Sequence, residues 1–292
     1  MRRPSYLHLI KQSIVAWSDD HAPSMGAALA FYSAFSLAPL LIIVIGVAGA
    51  VFGADAARGA VVAQLAGLVG TPAAEAIQAM LKATRDSTTG IVATVIGAGT
   101  LLVGATTVLV ELQDALDRIW KVPPREGGSL WWILRARFLS LGIILGIGFL
   151  LLVSLVLTGL LAGFGTYWGA YFPRAAVLVL QICNYVFSLA VITLLVSMLY
   201  KWLPNVPIAW KDVWIGALIT ALLLSAGQMA IGLYLGQTAM ASIYGAAGTM
   251  VILLLWLYYS AQVFLLGAEF TRVYANRHAY PAASRSHDAD AG

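Results

Sequence analysis

Residues 213–235 read VWIGALITALLLSAGQMAIGLYL, and residues 247–268 read AGTMVILLLWLYYSAQVFLLGA. Neither stretch contains a charged side chain. A transmembrane helix needs about 20 consecutive apolar residues to cross a hydrocarbon core about 30 Å thick. Both stretches are therefore predicted to be transmembrane helices, and they decide the fold class.

Working outward from this pair, the rest of the chain has the same character. Of its 292 residues, 61% are hydrophobic and only 10% are charged, whereas soluble domains carry about 25% charged residues. We predict an all-α, polytopic membrane protein in which residues 1–276 form one domain with six transmembrane helices and residues 277–292 form a disordered tail. The four further spans are predicted at 28–53, 91–111, 138–163 and 176–200.

Lysine and arginine residues set the predicted orientation. Cytoplasmic loops of inner-membrane proteins carry an excess of these residues. With the N-terminus inside, 13 of the 17 lie on the cytoplasmic side and 4 lie on the periplasmic side. The sequence therefore predicts a multi-pass protein of the bacterial inner membrane with both termini in the cytoplasm.

Two segments outside the spans have helical patterns. Residues 5–18 place Leu7, Ile10, Ile14 and Trp17 on one helical face, which predicts an amphipathic N-terminal helix that lies in the membrane interface or packs on the bundle. Residues 54–89 are too polar to span and contain two apolar stripes, so we expect a periplasmic helical hairpin there.

The second span is predicted to continue into the cytoplasm as far as residue 121, before two prolines stop it. Asp114 and Arg118, and likewise Asp117 and Lys121, have the acid-before-base spacing of four residues that favours ion pairs on a helix. We expect both pairs to form.

Six short motifs follow one another in a fixed order between about residues 5 and 275. No single motif is diagnostic, but the ordered set is specific. The motifs are GAALAFYSAFSLAPLL at 26–41, LDRIWKV at 116–122, LPNVP at 203–207, IYG at 243–245, LLWLY at 254–258 and LGAE at 266–269.

This ordered set resembles the YihY/BrkB family, long labelled ribonuclease BN. The resemblance implies a six-helix protein of the bacterial inner membrane and implies no particular reaction.

The residues themselves do not support a ribonuclease. A two-metal nuclease holds its ions about 3.5–4 Å apart between clustered carboxylates or histidines, and a nucleic-acid groove needs stacked aromatic side chains and many cations. The predicted membrane topology already accounts for the positions of the lysine and arginine residues in this chain. We expect no enzyme activity, no catalytic, cofactor-binding or metal-binding residues, no cofactor and no nucleic-acid partner. All four histidines lie in terminal segments, at His8, His21, His278 and His287.

Polar side chains within the predicted spans are the candidates for function, because burying them in lipid is unfavourable. Gln181 and Asn184 share a face of the fourth span, and Gln262 and Glu269 share a face of the sixth. These side chains form either a polar pathway or pocket, or ordinary hydrogen bonds between helices, worth about 0.6 kcal/mol each. The candidates are Tyr32, Ser36, Gln181, Asn184, Gln228, Gln262 and Glu269.

Two further features leave alternatives open. Glu269 has Arg272 one turn further along, so it is either a partner in an interface ion pair or a proton-coupling carboxylate. Pro39 lies within the first apolar run and predicts a helix kink. Alternatively, the first part of that run lies in the interface and an ordinary span follows it.

Glycines recur at GxxxG spacing, as in Gly142 and Gly146, which lets helix backbones approach closely in lipid. The pattern indicates either packing within one chain or a homo-oligomer interface.

For function, two classes remain. The protein is either a transporter or flippase that moves a lipid or small amphiphile, or a non-transporting membrane protein that supports the envelope or scaffolds partners. In both classes its principal partner is the lipid bilayer.

Overall fold

The computed structural model describes residues 6–36, 107–123, 173–237 and 240–279, together with the single helical residues Gly59 and Gln78. Every regular element within these ranges is an α-helix, which confirms the predicted all-α class for this part of the chain. The six helices are α1 (Tyr6–Asp19), α2 (22–36), α3 (107–119), α4 (Pro173–Trp202), α5 (Trp210–Gln237) and α6 (Met240–Ala279).

Three described helices are long and apolar enough to cross a membrane, namely over Ile182–Trp202, Trp210–Ile231 and Val251–Arg277. They correspond to the last three predicted spans. The third runs past the predicted end at residue 268, because α6 continues without interruption through Glu269 and Arg272. The predicted spans at 28–53, 91–111 and 138–163, the hairpin at 54–89 and the kink at Pro39 lie wholly or largely outside the described residues.

Helix α1 packs against α6. Its packed face holds Leu9 and Ser13, which are 3% and 2% exposed, and the Ser13 hydroxyl donates to the Leu9 carbonyl oxygen at 2.9 Å. Three of the four residues of the stripe predicted from the sequence point away from the bundle, since Leu7 is 77% exposed and Ile10 and Ile14 are half exposed, whereas Trp17 packs against the core. The helix thus packs on the bundle with one face and presents an apolar stripe outward with another.

Helices α5 and α6 cross at two glycine–threonine contacts. Gly216 of α5 faces Thr271, and Gly267 of α6 faces Thr220, so closely that a Cβ atom on either glycine would overlap the facing hydroxyl. Each threonine hydroxyl donates to a carbonyl oxygen of its own helix, at 2.9 Å for Thr220 and 2.7 Å for Thr271. The crossing is therefore close, because its small residues admit the opposite backbone.

The Tyr200 side chain connects α4 to this crossing of α5 and α6. Its hydroxyl is buried, donates to the Phe264 carbonyl oxygen at 2.6 Å and lies 3.0 Å from Thr220 Oγ1. Its ring packs on the Phe264 ring with centroids 4.8 Å apart. One buried side chain therefore joins all three described spans.

Replacing Gly267 by valine is expected to destabilise the protein by about 1–3 kcal/mol, because the added atoms overpack the crossing. Thermal unfolding of the detergent-solubilised protein would measure the loss as a lower Tm. Gly59→Val is the control, since a Cβ there meets no atom within 4 Å. Equal melting temperatures for the two variants would contradict the close crossing.

Candidate functional site

A sharp corner between α1 and α2 turns one acidic side chain into the bundle. Helix α1 ends at Asp19, and His21 adopts a left-handed backbone with φ of 55°. The Met25 amide donates to the His21 carbonyl oxygen at 3.2 Å and so starts α2. Histidine is among the residues that tolerate this conformation. The reversal leaves the Asp20 side chain only 8% exposed.

The end of α3 has a Schellman motif. The Val122 amide donates to the Asp117 carbonyl oxygen at 2.9 Å, and the Lys121 amide donates to the Arg118 carbonyl oxygen at 3.1 Å. Lys121 has φ of 55° at the position that glycine usually occupies in this motif. Its side chain therefore leaves the face of α3 that it would occupy in a continuing helix.

This geometry corrects one ion pair expected from the sequence. Lys121 pairs with Asp20 of the α1–α2 corner rather than with Asp117. Asp117 instead accepts hydrogen bonds from the backbone amide of Asn205 at 2.8 Å and from its side-chain amide at 2.6 Å. The predicted pair of Asp117 and Lys121 was wrong because α3 ends before Lys121, and spacing of four residues brings side chains together only within a helix.

Helix α6 contributes one acid and one base. Glu269 is fully buried, and Arg272 Nη2 lies 2.8 Å from Glu269 Oε2 and 3.6 Å from Asp20 Oδ2. Of the two alternatives left open for Glu269, the ion pair with Arg272 is present, with the carboxylate fully buried and the Arg272 side chain 15% exposed. We name Asp20, Lys121, Glu269 and Arg272 the buried charge cluster after its two buried carboxylates, since the Lys121 side chain is itself 58% exposed. It joins the α1–α2 corner, the end of α3 and α6.

Hydrogen bonding around this cluster is incomplete. Glu269 meets Arg272 in an ion pair, but neither of its carboxylate oxygens accepts a well-aligned hydrogen bond. Buried polar atoms without a partner cost about 1–3 kcal/mol each and are rare in folded proteins. In the part of the chain that the structure describes, six such side-chain atoms occur: Trp17 Nε1, Asp20 Oδ2, Gln262 Oε1, both Glu269 Oε atoms and Arg272 Nε.

Gln262 lies on the same side of α6 as Glu269. Its side-chain amide donates to the Pro23 carbonyl oxygen at 3.2 Å, next to Gly26, where a Cβ would overlap the amide. The α6 face that carries Gln262 and Glu269 therefore packs on the α1–α2 corner.

The other sequence candidates lie elsewhere. Tyr32 is 39% exposed, Asn184 is exposed and Gln228 is half-buried. Ser36 is buried, and its hydroxyl donates to the Ser33 carbonyl oxygen at 3.2 Å. The Gln181 side chain is outside the described residues.

Of the candidates whose side chains the structure describes, Gln262 and Glu269 lie on the same side of α6, seven residues apart. Sequence reasoning missed Asp20 and Lys121 as site residues and used Lys121 only to set the topology. The signal for Asp20 was weak. It is the second of two acids at the end of an amphipathic helix, and nothing local shows that one is buried and the other exposed.

An open cavity of about 450 Å³ lies beside the cluster, between the start of α2 and α3. Tyr32, Asn184 and Gln262 are not among its lining residues. It is lined by His21, Ser24, Met25, Ala28, Glu111, Asp114, Ala115 and Arg118.

The two aspartates near these features have opposite pKa shifts. Burial alone raises the pKa of Asp20, but its interactions with Lys121 and Glu269 and the charge of Arg272 outweigh burial and lower the pKa from its ordinary 3.8. Partial burial and repulsion from Asp117 raise the pKa of Asp114, against the opposing charge of Arg118.

The lowered pKa makes the ionised Asp20 stabilising above its ordinary pKa, and this contribution is lost as the pH falls through the lowered value. We expect the Tm difference between wild type and Asp20→Asn to be largest near about pH 6 and to shrink toward about pH 3. Thermal unfolding across that range would measure it. The exposed neighbour offers a control, because Asp19→Asn should change the Tm little at any pH. A difference that grows on acidification would contradict the assignment.

Apolar helices of membrane-spanning length, two of which cross at glycine–threonine contacts, define this chain as a helical protein embedded in a membrane. A model of the family described as virulence factor BrkB matches residues 13–291. The chain belongs to this BrkB family, and the resemblance stated from the sequence motifs is confirmed.

Curated relatives are named as UPF0761 membrane proteins. One from Pseudomonas paraeruginosa is 30% identical over 85% of this chain and 58% of its own length. Relatives from Tolumonas auensis and Ralstonia nicotianae are 32% and 26% identical over 61% and 90% of this chain. The alignments span 56–59% of these three relatives, so the chain covers less than two thirds of their length. No solved structure matches.

Proposed function

We propose that this protein moves a lipid or small amphiphile across the bacterial inner membrane, along a polar path on the α6 face that carries Gln262 and Glu269. One observation carries the proposal. The buried polar side chains of the described residues whose hydrogen bonding is incomplete lie mainly where that face meets the α1–α2 corner, and the charged ones among them are joined only by ion pairs.

Buried polar atoms with incomplete hydrogen bonding destabilise a folded bundle. A bundle that serves only as a scaffold is most stable when its buried polar groups bond one another. Polar and ionisable groups within membrane helices are unfavourable unless paired, and their retention marks substrate or ion pathways. A pathway needs groups that can exchange partners with a passing molecule, and the carboxylate of Glu269 is such a group.

The position of the cluster agrees with this role. Lys121 and Arg272 belong to the majority of cations that set the proposed orientation, with both termini in the cytoplasm. The buried charge cluster then lies at the cytoplasmic end of the path, where it links three elements by ion pairs. Breaking and remaking those pairs would let the corner between α1 and α2 move relative to α6.

Reconstitution tests the proposal directly. Purified protein is placed in vesicles that contain fluorescent phospholipids, and the fraction of label reached by a membrane-impermeant quencher is followed in time. We expect lipid movement faster than in empty vesicles, and the same rate for Asn184→Ala, because Asn184 is exposed on α4. Wild-type vesicles indistinguishable from empty ones, across lipids and small amphiphiles, would favour the envelope-supporting class instead.

A further inference from the structure

The cavity between α2 and α3 has charged side chains on one of its walls. Glu111, Asp114 and Arg118 follow at spacings of three and four residues and so share one face of α3. The start of α2 and the residue before it also line the cavity, with the polar His21 and Ser24 and the apolar Met25 and Ala28. Two carboxylates and one guanidinium therefore line the same space.

These charges form no close ion pair with one another. Among the described residues, no ion pair within 4.0 Å joins Arg118 to Asp114 or Glu111, although the sequence predicts the pair of Asp114 and Arg118. The next charges along the chain are engaged elsewhere, Asp117 with Asn205 and Lys121 with Asp20. Burial and repulsion from Asp117 raise the pKa of Asp114 by more than the charge of Arg118 lowers it.

We propose that this cavity binds a zwitterion that carries a primary ammonium group and a phosphate group, the chemistry of phosphoethanolamine. The ammonium would donate to the carboxylates of Glu111 and Asp114. The guanidinium of Arg118 suits the phosphate oxygens, because its planar fork of N–H donors matches them. The hydroxyl of Ser24 can donate to the same oxygens.

Size and lining narrow the ligand class. The volume of about 450 Å³ falls within the usual range for small-molecule sites. No Trp, Tyr or Phe is among the described lining residues, whereas quaternary ammonium groups are recognised by aromatic cages. A trimethylated amine also has no N–H to donate to a carboxylate. The cavity therefore favours the primary amine over its choline counterpart.

This inference rests on the proposed function in one respect, since the zwitterion would be the headgroup of the lipid that is moved. The cavity adjoins the end of the proposed path, because residues that line it are close neighbours in the chain of residues in the buried charge cluster. His21 lines the cavity and follows Asp20 of the cluster, and Arg118 lines it one turn before Lys121.

Calorimetric titration of the detergent-solubilised protein tests the site. The probes are phosphoethanolamine, dihexanoyl phosphatidylethanolamine, the two matching choline compounds and inorganic phosphate. We expect binding of the ethanolamine compounds, weakened about tenfold or more by Glu111→Gln and by Arg118→Gln through loss of a charge-assisted bond. The controls are the exposed replacements Asp19→Asn and Lys211→Gln, and circular dichroism verifies that each variant is folded.

The two probe sizes distinguish the sources of the ligand. Tighter binding of the short-chain lipid indicates a membrane headgroup, whereas equal affinity indicates the soluble zwitterion, and either result supports the site. The proposal is overturned if neither ethanolamine compound binds, if the choline compounds or inorganic phosphate bind as well, or if Glu111→Gln and Arg118→Gln leave the affinity unchanged. Binding without lipid movement would overturn the transport proposal alone. Lipid movement without binding would overturn the proposed binding site alone.

Discussion

Replacing Arg272 by methionine is expected to lower the free energy of unfolding by about 3–5 kcal/mol, the usual cost of removing one partner from a buried ion pair. Arg272 lies near both Glu269 and Asp20, and both carboxylates are buried. Methionine keeps much of the length and apolar surface of the side chain but leaves Glu269 without a cation. Unfolding of the detergent-solubilised protein by increasing denaturant would measure the loss.

A second replacement separates lost charge from lost packing. Adding Glu269→Gln to Arg272→Met removes the uncompensated carboxylate, so the double variant should be more stable than Arg272→Met alone. The difference is read as a coupling energy between the two positions. Lys211→Met is the control, because Lys211 is exposed. Additive effects of the two cluster replacements would show that the ion pair has no energetic role.

Replacing Glu269 by glutamine is expected to slow lipid movement about tenfold or more, since an ionisable group on a membrane path is a functional site by default. Glutamine keeps the shape of the side chain and removes only its charge. Glu269→Asp keeps the charge on a shorter side chain and should retain more of the rate. The vesicle assay with fluorescent lipid measures all three proteins, after the Tm of each has shown that it is folded.

The comparison of the two Glu269 variants decides the role of the charge. If Glu269→Gln moves lipid at the wild-type rate while it remains folded, the carboxylate is structural and the path does not pass it. If Glu269→Asp is the slower of the two, side-chain length and packing matter more than charge.

Much of the membrane domain was predictable from the sequence. The stretches at 176–200, 213–235 and 247–268 overlap the three described helices of membrane-spanning length, because hydropathy along a helix is a local property. The N-terminal helix was also predicted from its spacing. Its orientation was not, since Leu7, Ile10 and Ile14 point outward while Leu9 and Ser13 pack on α6.

By itself, the sequence determined that this protein is a helical membrane protein of the BrkB family. Composition, apolar runs and the ordered motifs are readable without knowing which residues meet. Only the tertiary structure decided which charges form the buried cluster and which line the cavity. Asp20 and Lys121 are 101 residues apart in the chain, and Pro23 and Gln262 are 239 apart. The α1–α2 corner and the left-handed end of α3 bring such residues together, and no local pattern encodes which partner each will find.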